Sequence, residues 1–269
     1  MFFDWHTLVL GAVQGLTEFL PISSSGHLAL LQTWFGFSSS GLLAFDLLMH
    51  CATTLAVLIF FRNDIVRLLK QWFGGFLNSN ARKDEGWRFG WAVLAGTVAT
   101  ALLAFPLKHL AESALLSPLA VGAGLLATAG ILCLVPLLAE GDREVSIRIA
   151  FLVGLGQGIA VFPGLSRSGV TIMAALALGL AAPEAFRLSF LMSIPSILGA
   201  SLLEFRDLLR SPAALPDGWP AGAVAAFLLG YLALGVMRRM VLSGRWAYFG
   251  IYCFLLGIFV VVSSVMTAL

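Results

Sequence analysis

Charge is what this sequence has least of. Of 269 residues, 11% are Asp, Glu, Lys or Arg, against about 25% in soluble domains. With 59% hydrophobic residues and a mean hydropathy of +0.96, that scarcity excludes a water-soluble globular domain. The net charge of +2 is small, so its distribution matters more than its sum, and no nucleic-acid partner is expected. Cysteine is scarce too. Cys51, Cys133 and Cys253 all fall in apolar segments; we expect buried packing residues, not a disulfide framework or a metal site. The opening Met1-Phe2-Phe3-Asp4-Trp5 lacks the basic region of a cleavable signal peptide. Walker and kinase-type glycine loops are absent, as is a His-Glu-x-x-His pattern. What remains is a polytopic membrane protein.

Long apolar runs are abundant. Crossing a bilayer takes about 20 apolar residues per helix. Six segments meet that length: roughly 41–61, 89–107, 118–139, 183–203, 219–237 and 246–267. Two more stretches, 5–35 and 149–181, fail as simple spans because polar turns interrupt them. The first interruption is Gln14-Gly-Leu-Thr-Glu18-Phe-Leu-Pro-Ile-Ser-Ser-Ser-Gly-His27. The second is Pro163-Gly-Leu-Ser-Arg-Ser-Gly169. Ionisable residues at membrane depth are costly and mark functional sites by default. Broken backbone is tolerated there only where protein or a water-filled cavity surrounds it. Each stretch therefore reads as two half-helices around a polar turn.

The two halves echo each other. At an offset of 143, Gly11, Gln14, Gly15, Phe19, Ser23, Ser25 and Gly26 fall on Gly154, Gln157, Gly158, Phe162, Ser166, Ser168 and Gly169. The chain reads as one membrane domain, 1–269, with internal repeats 1–140 and 148–269. If residues 62–88 are cytoplasmic, alternation puts eleven basic residues in cytoplasmic loops and three in outer ones, as the positive-inside rule requires. Both termini then face outward. Three spans per repeat is an odd number, so the second repeat enters the membrane upside down. The expected fold is an all-α polytopic membrane protein: six transmembrane helices plus two re-entrant broken helices in an inverted-topology repeat. Such repeats bring their broken segments together near the midplane. Glu18, His27 and Arg167 should then converge.

The second turn reads as an anion site. Arg167 offers a planar fork for phosphate or carboxylate. The helix N-terminus near Gly169 adds backbone donors, and Ser166, Ser168 and Thr171 add hydroxyls. The first turn supplies complementary groups. Glu18 can act as a base or hold a divalent cation, and one carboxylate with few partners suits Mg²⁺. Ser24 can be a nucleophile if a neighbouring base takes its proton. His27 can be that base, an acid for the leaving group, or itself the nucleophile. Gln14 lies one turn before Glu18 on the same face and can orient but not titrate. The residues alone point to a polar intramembrane site for an anionic, phosphorylated ligand. They leave enzyme and transporter open.

Elsewhere, residues 62–88 mix basic residues with Trp72, Phe73 and Phe76, as an interfacial amphipathic helix or a plain cytoplasmic loop would. Residues 204–218 read as an outer loop, and His109 as solvated in a short loop. His6 and His50 are of a kind more often hydrogen-bonded or interfacial than catalytic.

The two turns resemble the motifs of the bacterial undecaprenyl-diphosphate phosphatase family, known for bacitracin resistance. The likeness runs from the Gln14–His27 stretch through Pro163–Gly169 and covers nearly the whole chain. It implies an integral-membrane hydrolase with interdigitated inverted repeats. The implied reaction is hydrolysis of undecaprenyl diphosphate to the monophosphate, recycling the lipid carrier of cell-wall synthesis. Implied too are a divalent cation, Mg²⁺ or Ca²⁺, with Glu18 as its ligand, and a location in the cytoplasmic (inner) membrane with the site toward its outer face. Carried over by motif, Glu18, Ser24, His27 and Arg167 match the core catalytic positions. Ser23, Ser25, Ser166, Ser168 and Thr171 match positions that contact phosphate, and Gln14 stands where the family often has Glu. The expected partners are the polyprenyl diphosphate and membrane lipids, with a homo-oligomer left open. The alternative is a lipid-phosphate transporter or flippase using the same anion site.

Overall fold

The computed structural model describes residues 5–34, 42–138, 141–210 and 215–268. These form α-helices joined by turns and short 3-10 segments, and the described residues contain no strand beyond one isolated bridge between Arg143 and Leu180. The helices are α1 (Trp5–Phe19), α2 (Ser24–Trp34), α3 (Leu42–Phe60), α4 (Arg62–Leu77), α5 (Glu85–Leu115) and α6 (Pro118–Leu134), then α7 (Ile147–Ile159), α8 (Arg167–Ala177), α9 (Ala182–Arg210), α10 (Trp219–Leu242) and α11 (Ala247–Ala268). Five are long and apolar enough to cross a membrane, and α3 with the bent α4 makes a sixth candidate. The protein is an all-α polytopic membrane protein. Its spanning helices expose large apolar side chains such as Leu102, Leu228, Leu255 and Phe259, which a bilayer solvates.

Both polar interruptions break their helices. α1 ends at Phe19 and α2 starts at Ser24; α7 ends at Ile159 and α8 starts at Arg167. Pro21 and Pro163 disfavour a continuous helix, since proline has no N–H and restricts the residue before it. Each turn is closed by the serine before its second half-helix. Ser23 Oγ accepts from Gly26 N at 3.3 Å, and Ser166 Oγ from Gly169 N at 3.1 Å. These are N-caps, satisfying donors that a helix start leaves free.

The packing interlocks the two halves. α1 lies along α10, α7 along α5, and α6 along α11, while α3 meets both α9 and α10. Exchanging the halves maps α1 against α10 onto α7 against α5. Gly11 presses on Gly222 in the first pair and Gly154 on Gly96 in the second, so closely that a Cβ on Gly11 or Gly154 would overlap the partner's backbone. Small residues at such crossings let helices approach where lipid gives no hydrophobic drive for association.

Several elements differ from expectation. α5 and α9 overrun their predicted spans by a turn or more, because neither Pro106 nor Pro195 ends its helix. His109, expected in a loop, lies in the closing turns of α5, exposed and 3.4 Å from Glu112. α9 runs on to Arg210, so residues 204–210 are helix rather than loop, and 211–214 lie outside the described residues. Residues 62–77 form an amphipathic helix bent 75° from α3. Arg187 of α9 anchors this end of the bundle to α4 and α5: it bonds Glu85 at 2.5 Å and Glu184 at 3.2 Å, lies 3.5 Å from Asp64, and stacks over Phe89. Of the cysteines, only Cys253 is buried; Cys51 and Cys133 are exposed on their helices. Apolar environment in sequence did not separate a protein interior from a lipid-facing surface.

Candidate active site

The two turns meet at Glu18. This carboxylate is buried at the end of α1, 7% exposed. Its Oε1 is paired with Arg167 Nη2 from the start of α8. Its Oε2 accepts from Ser24 Oγ at 2.6 Å and from Gln14 Nε2 at 3.0 Å. Residues 149 positions apart thus form one ion pair, as the convergence of the broken segments required. Burying the carboxylate is tolerable because the charge is paired and hydrogen-bonded.

Serines fix the turns to each other. Ser23 and Ser25 hydroxyls lie 3.3 Å apart, and those of Ser166 and Ser168 lie 3.2 Å apart. Ser168 Oγ also donates to Leu20 O at 3.3 Å, tying the second turn to the first. Outside the expected set, Thr128 of α6 clips the second turn: its Oγ1 donates to Gly164 O at 2.8 Å and accepts from Ser166 N at 2.9 Å. Gly164 has φ +85° and packs against the α6 backbone, so glycine is required there on both counts. Ser23 is the one non-glycine with positive φ, 68°, among the described residues. Such a conformation costs about 1–3 kcal/mol and persists only where surroundings hold it. It directly precedes Ser24 and turns α2 so that the Ser24 hydroxyl faces Glu18.

A cavity of about 350 Å³ opens here, with Glu18, Ser23, Ser24, Ser25, Ser166 and Arg167 on its wall. Further polar groups in the wall are Thr17, His50, Thr100, Gln157, Ser196, Ser201 and Glu204. Along Thr100, Ala104, Val161, Ser196 and Ala200 it joins a second cavity of about 440 Å³ between α5 and α9. That cavity is lined by Ala101, Phe105, Gly199 and Leu203, with Lys108 and Glu112 at its α5 end. A polar chamber therefore continues into a largely apolar groove, the shape a phosphorylated lipid needs.

Four of the expected site residues lie outside the cavity wall. Thr171 is fully buried; its hydroxyl donates to Arg167 O at 2.8 Å and lies 2.6 Å from Ser189 Oγ, so it fastens α8 to α9 and does not reach a ligand. Ser168 and Gln14 are likewise buried and act on the turn and on Glu18. His27 does not join Ser24 or Glu18. Its Nδ1 lies 2.7 Å from Ser23 O and its Nε2 2.7 Å from Tyr252 OH, with the two rings stacked 5.6 Å apart. A carbonyl oxygen only accepts, so Nδ1 carries the hydrogen and Nε2 accepts from the tyrosine. Both ring nitrogens are thereby occupied.

Sequence reasoning missed Thr128, Thr100 and Tyr252. Gln157 had a signal, its offset of 143 from Gln14. It bonds Thr100 at 3.0 Å and Ser196 at 2.8 Å, so the two glutamines brace the two turns with different partners. Single Thr and Tyr residues on apolar helices carry no such signal.

The chain is similar to known proteins along nearly its whole length. The profile described as "Bacitracin resistance protein BacA" matches residues 7–259. The chain is 44% identical over 260 residues to the undecaprenyl-diphosphatase of Desulfosudis oleivorans, covering 93% of this chain and 94% of that one. It is 41% identical to the protein of that name from Korarchaeum cryptofilum, over 94% of this chain and 96% of that one. For the one from Methanosphaera stadtmanae the identity is 37%, over 96% and 97%. With two turns converging on Glu18 and a match along nearly its whole length, the chain belongs to the bacitracin resistance protein BacA family.

Proposed function

We propose that this protein is an undecaprenyl-diphosphate phosphatase, removing the terminal phosphate of the lipid to give undecaprenyl phosphate. The observation that carries the reading is the convergence of a serine hydroxyl and an arginine on one buried carboxylate at the wall of a cavity. The relatives named above bear that activity in their names. The polyprenyl tail lies in the groove between α5 and α9, and the diphosphate sits in the polar chamber.

The chemistry follows from the hydrogen bonds. Ser24 Oγ attacks the terminal phosphorus while its proton passes to Glu18 Oε2, which it already faces at 2.6 Å. The bridging P–O bond breaks and undecaprenyl phosphate leaves. Arg167 shifts from Glu18 to the phosphoryl oxygens, where its fork stabilises the developing charge. The starts of α2 and α8 add their positive dipole ends. Gln14 holds the carboxylate in orientation, and His27 with Tyr252 holds the Ser23 turn that aims Ser24. Water then cleaves the phosphoserine.

A resident metal fits the chain's own groups poorly. Glu18 already has partners on both oxygens, and no group of three His, Cys, Asp or Glu among the described residues can hold an ion. We propose that Mg²⁺ or Ca²⁺, where used, comes with the diphosphate; no step above runs through it.

We further propose the bacterial cytoplasmic membrane as the location, with both termini outside and the two repeats inverted. Charge placement supports this, with eleven basic residues in the loops assigned to the cytoplasm and three in those assigned outside. The chamber then opens toward the outer face, where Lys108 and Glu112 lie.

Phosphate release from undecaprenyl diphosphate by the purified protein in detergent tests the reading. With no second compartment present, release separates a hydrolase from a lipid transporter. A protein that binds the lipid and releases no phosphate would overturn the proposal.

A further inference from the structure

The cavity contains an imidazole that the mechanism above does not use. His50, on α3, lies in the same wall as Ser24 and Arg167. Its Nδ1 is 2.9 Å from the backbone oxygen of Asp46. Because that oxygen only accepts, Nδ1 carries the hydrogen, and the neutral ring keeps its lone pair on Nε2. His27 holds the same tautomer, but its Nε2 already accepts from Tyr252. Of these two imidazoles, His50 is the one in the cavity wall.

Carboxyl groups lie around it. Asp46 lies one turn earlier on α3, and its Oδ1 is buried with no hydrogen-bond partner. Glu204 of α9 lies in the same cavity wall, and Glu18 of α1, within electrostatic reach of the ring, is charged again once it has returned its proton to Ser24 Oγ. Carboxylates around an imidazole offset the positive charge that forms when it takes a proton, as in the triad logic of serine hydrolases.

We propose that His50 is the base that activates water in the second half of the reaction, hydrolysis of the Ser24 phosphoenzyme. Nε2 takes one proton from a water molecule as the water oxygen bonds to phosphorus. The bond from phosphorus to Ser24 Oγ breaks, and Oγ recovers its proton from the Glu18 carboxyl that received it in the first half. Inorganic phosphate departs, and His50 passes its proton to it. This inference rests on the reading of Ser24 as nucleophile.

The test uses purified, folded His50→Gln in detergent with undecaprenyl diphosphate, quenched during the first turnovers. The expected result is a burst of about one undecaprenyl phosphate per protein with inorganic phosphate release slowed by about 100-fold, at the low end for loss of a general base. Peptide mass mapping should find phosphate retained on Ser24. His50→Asn, whose amide can still donate to Asp46 O, should trap the same species, so a folding defect in one variant does not decide the matter. Steady turnover within about twofold of wild type would overturn the inference, and so would slow turnover without phosphoserine. Full activity in Ser24→Ala fails differently: it removes the nucleophile reading itself.

Discussion

Ser24 and Arg167 stand 143 positions apart, each the first residue of an 11-residue half-helix, and both reach the same Glu18 carboxylate. The residue before each is a serine that caps its helix through the third glycine N–H. One capping hydrogen bond thus occurs twice on different backbone, Ser23 at φ 68° and Ser166 at φ −82°, carrying a hydroxyl in one half and a guanidinium in the other.

Arg167 should be the least replaceable residue of the site. Arg167→Ala is expected to lower phosphate release by roughly 10²–10³-fold, the usual loss for one preorganised charge-stabilising group. Arg167→Lys keeps the charge without the two-pronged geometry and should restore only part of it. Initial rates on monodisperse protein decide this. A rate near wild type for the Ala variant would falsify the clamp assignment.

Glu18→Gln removes the acceptor of the Ser24 proton and leaves Arg167 without its partner. Breaking a buried ion pair from one side costs about 3–5 kcal/mol. Both the Tm in detergent and the rate should fall. An unchanged Tm with full activity would show that neither the pair nor the base matters.

Ser24→Ala is expected to abolish turnover while leaving substrate binding intact, because the hydroxyl lies in the wall but does not anchor the turn. Binding of the lipid diphosphate with no phosphate release is the expected outcome. Sustained release would require direct attack by water.

Metal dependence should follow the substrate. Calorimetric titration of the lipid-free protein with Ca²⁺ or Mg²⁺ should show no tight site, since Glu18 has no free oxygen. EDTA should still slow hydrolysis if the cation travels with the diphosphate. Tight stoichiometric binding without lipid would contradict this.

Gly11→Val and Gly154→Val should be equally damaging, although both lie far from any reacting atom in sequence. Each side chain would be driven into the backbone of the facing helix, and overpacking costs about 1–3 kcal/mol or more where backbone must move. The readout is Tm and recovery of monodisperse protein. Tolerance at either position would show that the two helix crossings are less tight than they stand here.

Sequence alone determined the membrane class, the approximate spans, the two broken turns and the polar residues collected in them. Those features are local: apolar length, proline, glycine and the cost of polar groups in hydrocarbon all act on neighbours in the chain. It also carried the pairing of the turns, because the repeat at offset 143 is written in residue identities. Only the tertiary structure decided which side chains face the cavity. Thr171, Ser168 and Gln14 are polar and belong to the motifs, yet they point into protein and serve the turns. His27 lies three residues from Ser24, but a helical turn carries its ring to Tyr252 on α11. His50 sits in an ordinary apolar span and reaches the cavity because α3 packs between α9 and α10. Orientation of a side chain on a helix is set by what the helix packs against, and those partners lie up to 225 residues away.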